Sequence, residues 1–424
     1  IDGKGVKLLV QSGSAWTTPD GQVTLNGSTL AIQGGGSLDL GGFSDGDFGV
    51  FRLGADPTPA GTPIVGDLAP LDTDPEAPGV QTDVDALGNV QVTTTPEPDR
   101  DDTLYGSSAS NLIRALGGND RIDATGGDDI VAGGSGADIV FGGSGSDRLF
   151  ADDQTPLAAA YTTGATQPSV NAWGDLLDGG SGDDALVGGT RKDLLAGGRG
   201  HDLLVGGGGD DLLLGDYALT SASADWSVGR NFVDNHYIWT LNHASGGGAQ
   251  TDGEADALYG GTGDDWLIGF GGDDLLDGGD GNDVAFGDAG NDIVLGGAGN
   301  DVLSGDNGAL DPAYHGDDWL DGGDGNDQLF GNDGNDVLIG GKGDDLLSGG
   351  AGQDTYFISG DGKDRIVDPD SDSVIVFGDS VVADQIKLRK GSLLLDMGNG
   401  AELHIDNFDS ADPLAHPSVA TFQF

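Results

Sequence analysis

A nine-residue unit recurs along most of this chain, and it leaves few folds open. In GGSGADIVFGGSGSDRLF, residues 133–150, glycine holds places one, two and four, aspartate place six and an apolar side chain place eight. The sixth-place aspartates keep register in four blocks: Asp102, Asp120, Asp129, Asp138 and Asp147; Asp175, Asp184, Asp193, Asp202 and Asp211; Asp256, Asp265, Asp274, Asp283, Asp292 and Asp301; Asp318, Asp327, Asp336, Asp345 and Asp354. Asn111 stands in the first block where an aspartate is due and keeps a side-chain oxygen. Two residues after each comes a leucine, isoleucine or valine, with Ala285 and Tyr356 as exceptions. Such a period marks a solenoid in which each repeat buries its apolar side chain against the next.

The unit divides into a turn and a strand. Six residues such as GGSGAD turn tightly through positive φ and approach another segment closely, which a Cβ would block. Three residues such as Ile139, Val140 and Phe141 then form a short strand whose middle member points inward. Turn and strand alternate into a flattened coil with two repeats per circuit, giving an all-β, parallel β-roll of two sheets. Equivalent turns stack about 4.8 Å apart, one strand spacing. Carbonyls and aspartates of successive turns then surround a gap of cation size. Calcium, with six to eight oxygen ligands in flexible geometry, suits that gap better than magnesium or zinc. The twenty-one aspartates named above are therefore the candidate metal ligands, and calcium the expected cofactor at multiple sites.

These nonapeptides resemble the calcium-binding β-roll of the RTX family, over about residues 102–357. Unbroken copies include 133–141, 142–150, 179–187, 197–205, 260–268, 278–286, 296–304, 322–330 and 340–348. The resemblance implies type I secretion in an unfolded state and calcium-driven folding outside the cell. Departures from the pattern exist: Arg191 replaces a third glycine, and Phe270, Asp288 and Asn332 replace second glycines.

Charge sets the order of events. With 72 acidic against 17 basic side chains, the 424-residue chain has a formal net charge of −55. Nucleic acid is excluded as a partner, because phosphate is repelled. Stacked carboxylates repel one another across a core one side chain deep, so the cation-free chain should be disordered. There is no cysteine, hence no disulfide staple, and calcium takes that role. No apolar run approaches the length of a membrane span. The first residue is Ile1, which points to processing or to a longer parent protein.

Three interruptions, 151–174, 215–256 and 305–318, read as lengthened turns that rejoin the same coil, two from one edge and one from the other. The middle one carries Trp226, Phe232, Tyr237 and Trp239 with His236 and His243. They either pin the loop to its own roll or present a surface to a partner such as a cell-surface glycan. Residues 1–55 hold short β-like runs (VKLLV at 6–10, QVTL at 22–25, FGVFRL at 48–53) and form a small N-terminal β segment. Residues 56–101, rich in proline, aspartate and threonine, read as a linker, and 358–424 as a C-terminal β cap covering an open sheet edge.

Catalysis finds little support: no HExxH pair is present, and the histidines are scattered. Outward places seven and nine are unexpectedly apolar. Ile139, Phe141, Leu212, Leu214, Trp266, Ile268, Val284 and Phe286 fall on one sheet; Leu203, Val205, Ile293, Leu295, Val337 and Ile339 fall on the other. Contiguous stripes of this kind exceed what a lone domain leaves bare. The sequence thus favours a secreted structural or adhesive component, a subunit of a surface layer, filament or matrix, whose partners are calcium and further copies of the chain. The alternative is the folding and secretion module of a larger exoenzyme or toxin.

Overall fold

The computed structural model describes residues 101–406 apart from 107, 153–156, 158–169, 171, 218–227, 234–235, 242–252, 309, 360, 368–372, 379–380, 382–386, 390–392 and 399. Elsewhere it describes the strands 10–12, 15–17, 23–26, 29–32, 37–39, 81–84, 90–93 and 421–423. There are two compact units, Leu53–Asp265 and Ile1–Arg52 with Trp266–Phe424. Each contains a parallel β-roll, as the nonapeptide predicts.

In the first roll, strands Thr103–Tyr105, Arg121–Asp123, Ile139–Ser144, Trp173–Ser181, Lys192–Arg199 and Leu212–Leu214 stack in parallel as one sheet. Leu112–Arg114, Ile130–Ala132, Arg148–Phe150, Ala185–Val187, Leu203–Gly208 and Ala257–Thr262 form the opposite sheet. Place-eight residues pair with one another from circuit to circuit: Ile122 sits between Leu104 and Val140. The interruptions leave this register intact, since Val140 pairs with Leu177 and Leu204 with Leu258. The first interruption follows a strand of one sheet and the second a strand of the other, so they leave opposite edges.

The second roll repeats the plan. Trp266–Gly271, Val284–Ala289, Val302–Asp306, Gln328–Asp333, Leu346–Ala351 and Lys363–Ile366 form one sheet. Leu275–Asp280, Ile293–Ala298, Trp319–Asp324, Val337–Ile339, Thr355–Ile358 and Val374–Phe377 form the other. Beyond Lys363–Ile366 the sheet gains Ala401–Ile405 in parallel, and then Leu393–Gly398 and Lys387–Arg389 in antiparallel pairing. A parallel edge that would invite another strand is closed by a hairpin.

The core of each roll is the single inward column. Leu149, Leu177, Leu204, Leu267, Leu303 and Leu347 are fully buried. Second-place glycines adopt φ near +100°, for example Gly143 at 106° and Gly297 at 104°. Phe270, Asp288 and Asn332 take the same left-handed conformation at 81°, 79° and 83°. The stack thus forces side chains into a backbone region that costs about 1 kcal/mol each.

Several residues assigned outward from the alternation are instead buried: Phe141, Leu214, Leu203, Val205 and Leu295. The cover is visible on one sheet of the first roll, where Leu157 of the first interruption packs with Ile130 against Ala132, Phe150 and Val187. Among the N-terminal runs, QVTL coincides with Val23–Asn26, the central strand of a five-stranded antiparallel meander. VKLLV, apart from Val10, and FGVFRL lie outside the described residues. The stretch read as a linker contains one hairpin, Gln81–Val84 with Val90–Thr93. The middle interruption contains another, Val228–Val233 with His236–Leu241, while Trp226 and His243 lie outside the described residues. No helix among the described residues is long and apolar enough to cross a membrane.

Candidate metal centre

Each in-register aspartate closes a turn just before its strand, and the turns stack, so the carboxylates form two columns per roll. The main-chain N–H of most of them donates to Oδ1 of the aspartate one circuit on: Asp120 to Asp138 at 2.8 Å, Asp184 to Asp202 at 2.8 Å, Asp327 to Asp345 at 3.0 Å. The bond normally spans 18 residues; it spans 37 across the first interruption, 54 across the second and 26 across the third. Oδ1 is therefore spent on the backbone.

Oδ2 is different. In Asp120, Asp129, Asp138, Asp147, Asp184, Asp202, Asp211, Asp292, Asp318, Asp327, Asp336 and Asp345 it is buried and accepts no hydrogen bond among the described residues. Leaving so many carboxylate oxygens dry and unsatisfied is costly unless something else binds them. First-place glycines open the space they face. A Cβ on Gly142 would lie 2.3 Å from Asp147 Oδ2 and 2.7 Å from the Gly179 carbonyl oxygen. On Gly322 it would lie 2.5 Å from Asp327 Oδ2 and 2.6 Å from the Gly340 carbonyl. Carboxylate and carbonyl oxygens thus converge on a cradle with no nitrogen or sulfur ligand, the donor set of a hard divalent cation.

Burial pushes these carboxyls up. Asp138 rises to about 8, through burial and then the neighbouring charge of Asp175. Asp184 rises to about 9, through burial and then Asp202. Asp292 and Asp318 lie well above the carboxylate range for the same first reason. Stacked in low dielectric, the carboxyls cannot all ionise unaided.

A family model for the RTX calcium-binding nonapeptide repeat matches residues 99–131, 123–155, 178–213, 250–285, 277–309, 315–338, 321–356 and 330–366. The chain carries that family's repeat in multiple copies across residues 99–366. No curated protein matches it. RTX repeats are calcium-binding motifs, so calcium is the cofactor, at multiple sites, and the oxygen cradles fit it.

Most of the aspartates predicted from the sequence come together in the four columns. Asp102 is half-buried at the start of its column, donating its N–H to Asp120 Oδ1. Asp175 and Asp193 are buried but differ from the rest: Asp175 Oδ2 meets Arg191 at 3.2 Å, and Asp193 Oδ2 accepts the Gly189 N–H at 2.6 Å.

Other participants escaped the sequence reading. Asp364 continues one column past Asp345, accepting its N–H at 3.3 Å, and Ser373 continues the other past Asp354 at 3.2 Å. The signal was present in SGDGKDRIV, 359–367, a degenerate nonapeptide displaced by one residue. A second ladder runs outside the first at place five, where Asn282, Asn300, Asn326 and Asp344 each accept the N–H of the next circuit, as in Asn326 to Asn300 at 3.0 Å. Around the third interruption, buried Asp306 and half-buried Asn332 occupy neighbouring second places, and the His315 ring lies 3.1 Å from an Asp333 carboxylate oxygen. Burial raises Asp306 to about 8.

Proposed function

We propose that calcium is the folding switch of this chain, and that the folded rolls serve outside the cell as a structural or adhesive component built from many copies. In this reading the ligands are the Oδ2 atoms of the in-register aspartates together with carbonyl oxygens of the glycines stacked against them. The observation that carries it is the row of buried Oδ2 atoms facing carbonyl oxygens across glycine-lined cradles. A bound divalent cation supplies the positive charge that lets neighbouring carboxylates ionise together. The chain itself aligns the oxygens, keeps water out and holds each Oδ1 on a backbone N–H. Extracellular calcium modules work at about 10⁻⁴ to 10⁻³ M, so such a chain stays open at cytosolic calcium and closes outside.

The assembly part rests on the second roll. Trp266 is 39 % exposed, Ile268, Val284 and Phe286 are half-buried, and Trp266 pairs with Val284 and Ile268 with Phe286. These neighbours, about 4.8 Å apart, form one apolar patch. Covering it with another copy contributes roughly 25 cal/mol per Å² and adds up along a lattice or fibre. The test is sedimentation of wild type and of the double variant Trp266→Ser with Phe286→Ser in calcium. The expected result is assembly of wild type and loss of it in the variant. A wild type that stays monomeric at high concentration refutes the assembly role, and equal assembly of both proteins places the interface elsewhere.

A further inference from the structure

The turn Gly188–Asp193, sequence GGTRKD, stands in the middle of one carboxylate column of the first roll. Above and below it the column runs Asp120, Asp138, Asp175, Asp193, Asp211, Asp265, each N–H on the next Oδ1. At this turn the pattern of the cradle changes. Arg191 takes the place of the glycine that elsewhere has a positive φ, such as Gly182 at 128° or Gly200 at 126°. Its guanidinium reaches back to the Asp175 carboxylate, whose side chain is 0 % exposed, at 3.2 Å, with Asp152 at 3.9 Å. Gly189 does not share the positive φ of the other second-place glycines, and its N–H turns onto Asp193 Oδ2 at 2.6 Å. The next residue, Lys192, is buried and pairs with Asp210.

We infer that this turn is closed by the chain's own cations in place of calcium, giving the first roll one calcium-independent rung. The inference rests on the assignment of the in-register carboxylates as calcium ligands. A guanidinium cannot be deprotonated, and its planar fork suits a carboxylate. A calcium ion placed on Asp175 would meet that positive charge, while Asp193 Oδ2 is already taken by a backbone donor. The charge that opposes stacking elsewhere is compensated here at any calcium concentration. In a solenoid, whose units interact with nearest neighbours, a prefolded rung is a place from which stacking propagates.

Two measurements on the full chain test this. Native mass spectrometry in calcium should find one more ion per chain in Arg191→Gly, which restores the repeat glycine, than in wild type. Asp292→Ala, in an ordinary turn, should bind fewer. If Arg191→Gly gains no ion while Asp292→Ala loses one, the inference fails and the ligand assignment stands; if Asp292→Ala loses none, the assignment itself fails. The second measurement needs no variant: hydrogen exchange of wild type during stepwise chelation. The amides of Leu194, Leu195 and Ala196 should keep protection after those of Ile293, Val294 and Leu295 have lost it. Simultaneous loss in both segments overturns the inference.

Discussion

The two rolls are built from the same nonapeptide, yet their outer faces differ. In the second, strands such as Leu275–Asp280, Trp319–Asp324 and Leu346–Ala351 alternate between half-exposed and buried residues up to an exposed last one. In the first, Leu203–Gly208 is buried throughout, and Lys192–Arg199 is buried except at its end. Apart from Ile113 near the start of the first roll, place eight is equally dry in both, so the repeat alone does not make the difference. Leu157, brought by an interruption, covers Phe150 and Val187 in the first roll. Inserted turns therefore convert an outer face into a second small core, and where they do not, apolar side chains stay available for other contacts. The first roll also carries its own cations at Arg191 and Lys192, both seated on carboxylates.

The most severe way to break the comparison is to remove the cation from both rolls. Chelation at neutral pH is expected to abolish the β signal in circular dichroism, with millimolar magnesium failing to restore it. A folded signal in chelator would sink the calcium switch.

Acid should partly replace the metal. Folded, cation-free Asp138 and Asp184 titrate at about 8 and about 9, against 3.8 when unperturbed. The folded state then binds more protons than the unfolded chain between those limits. Its stability is fully present below pH ~4 and is lost as pH rises through 8 to 9. Chelated protein should regain β signal on acidification toward pH 4; greater structure at pH 9 than at pH 4 would contradict the stacked-carboxylate account.

Within calcium-saturated protein, Phe150→Ala should destabilise the first roll by about 3 to 5 kcal/mol in urea unfolding, since it empties a covered site. Smaller is Asp292→Ala, expected to raise the calcium midpoint of folding, whereas Asp370→Ala, out of register, leaves it unchanged. The smallest effect belongs to Phe286→Ser, within about 0.5 kcal/mol for the monomer because its side chain lies on the partly exposed face. A loss comparable to Phe150→Ala would erase the contrast between the rolls.

Much of the site was legible because one period fixes both partners of every contact. Two nonapeptides per circuit place Asp120 beneath Asp138 and Ile122 beneath Val140, whatever the residues between them. Register survives the interruptions because both ends of each rejoin at equivalent places. Asp364 was missed since its copy begins one residue late, and a strict count of nine passes over it. The place-five ladder of Asn282, Asn300 and Asn326 was missed because polar residues in a turn read as solvated.

By itself the sequence determined the roll, the carboxylate columns and the need for a cation, since these follow from local turn chemistry repeated at a fixed interval. The tertiary structure decided what no interval encodes. Leu157 lands on Phe150 and Val187, Arg191 reaches Asp175 across the stack, and a C-terminal hairpin closes the sheet edge beyond Lys363–Ile366. Each depends on where a non-repeating segment falls in space. Burial and charge pairing are properties of that arrangement, whereas backbone turns and strand register are properties of the repeat.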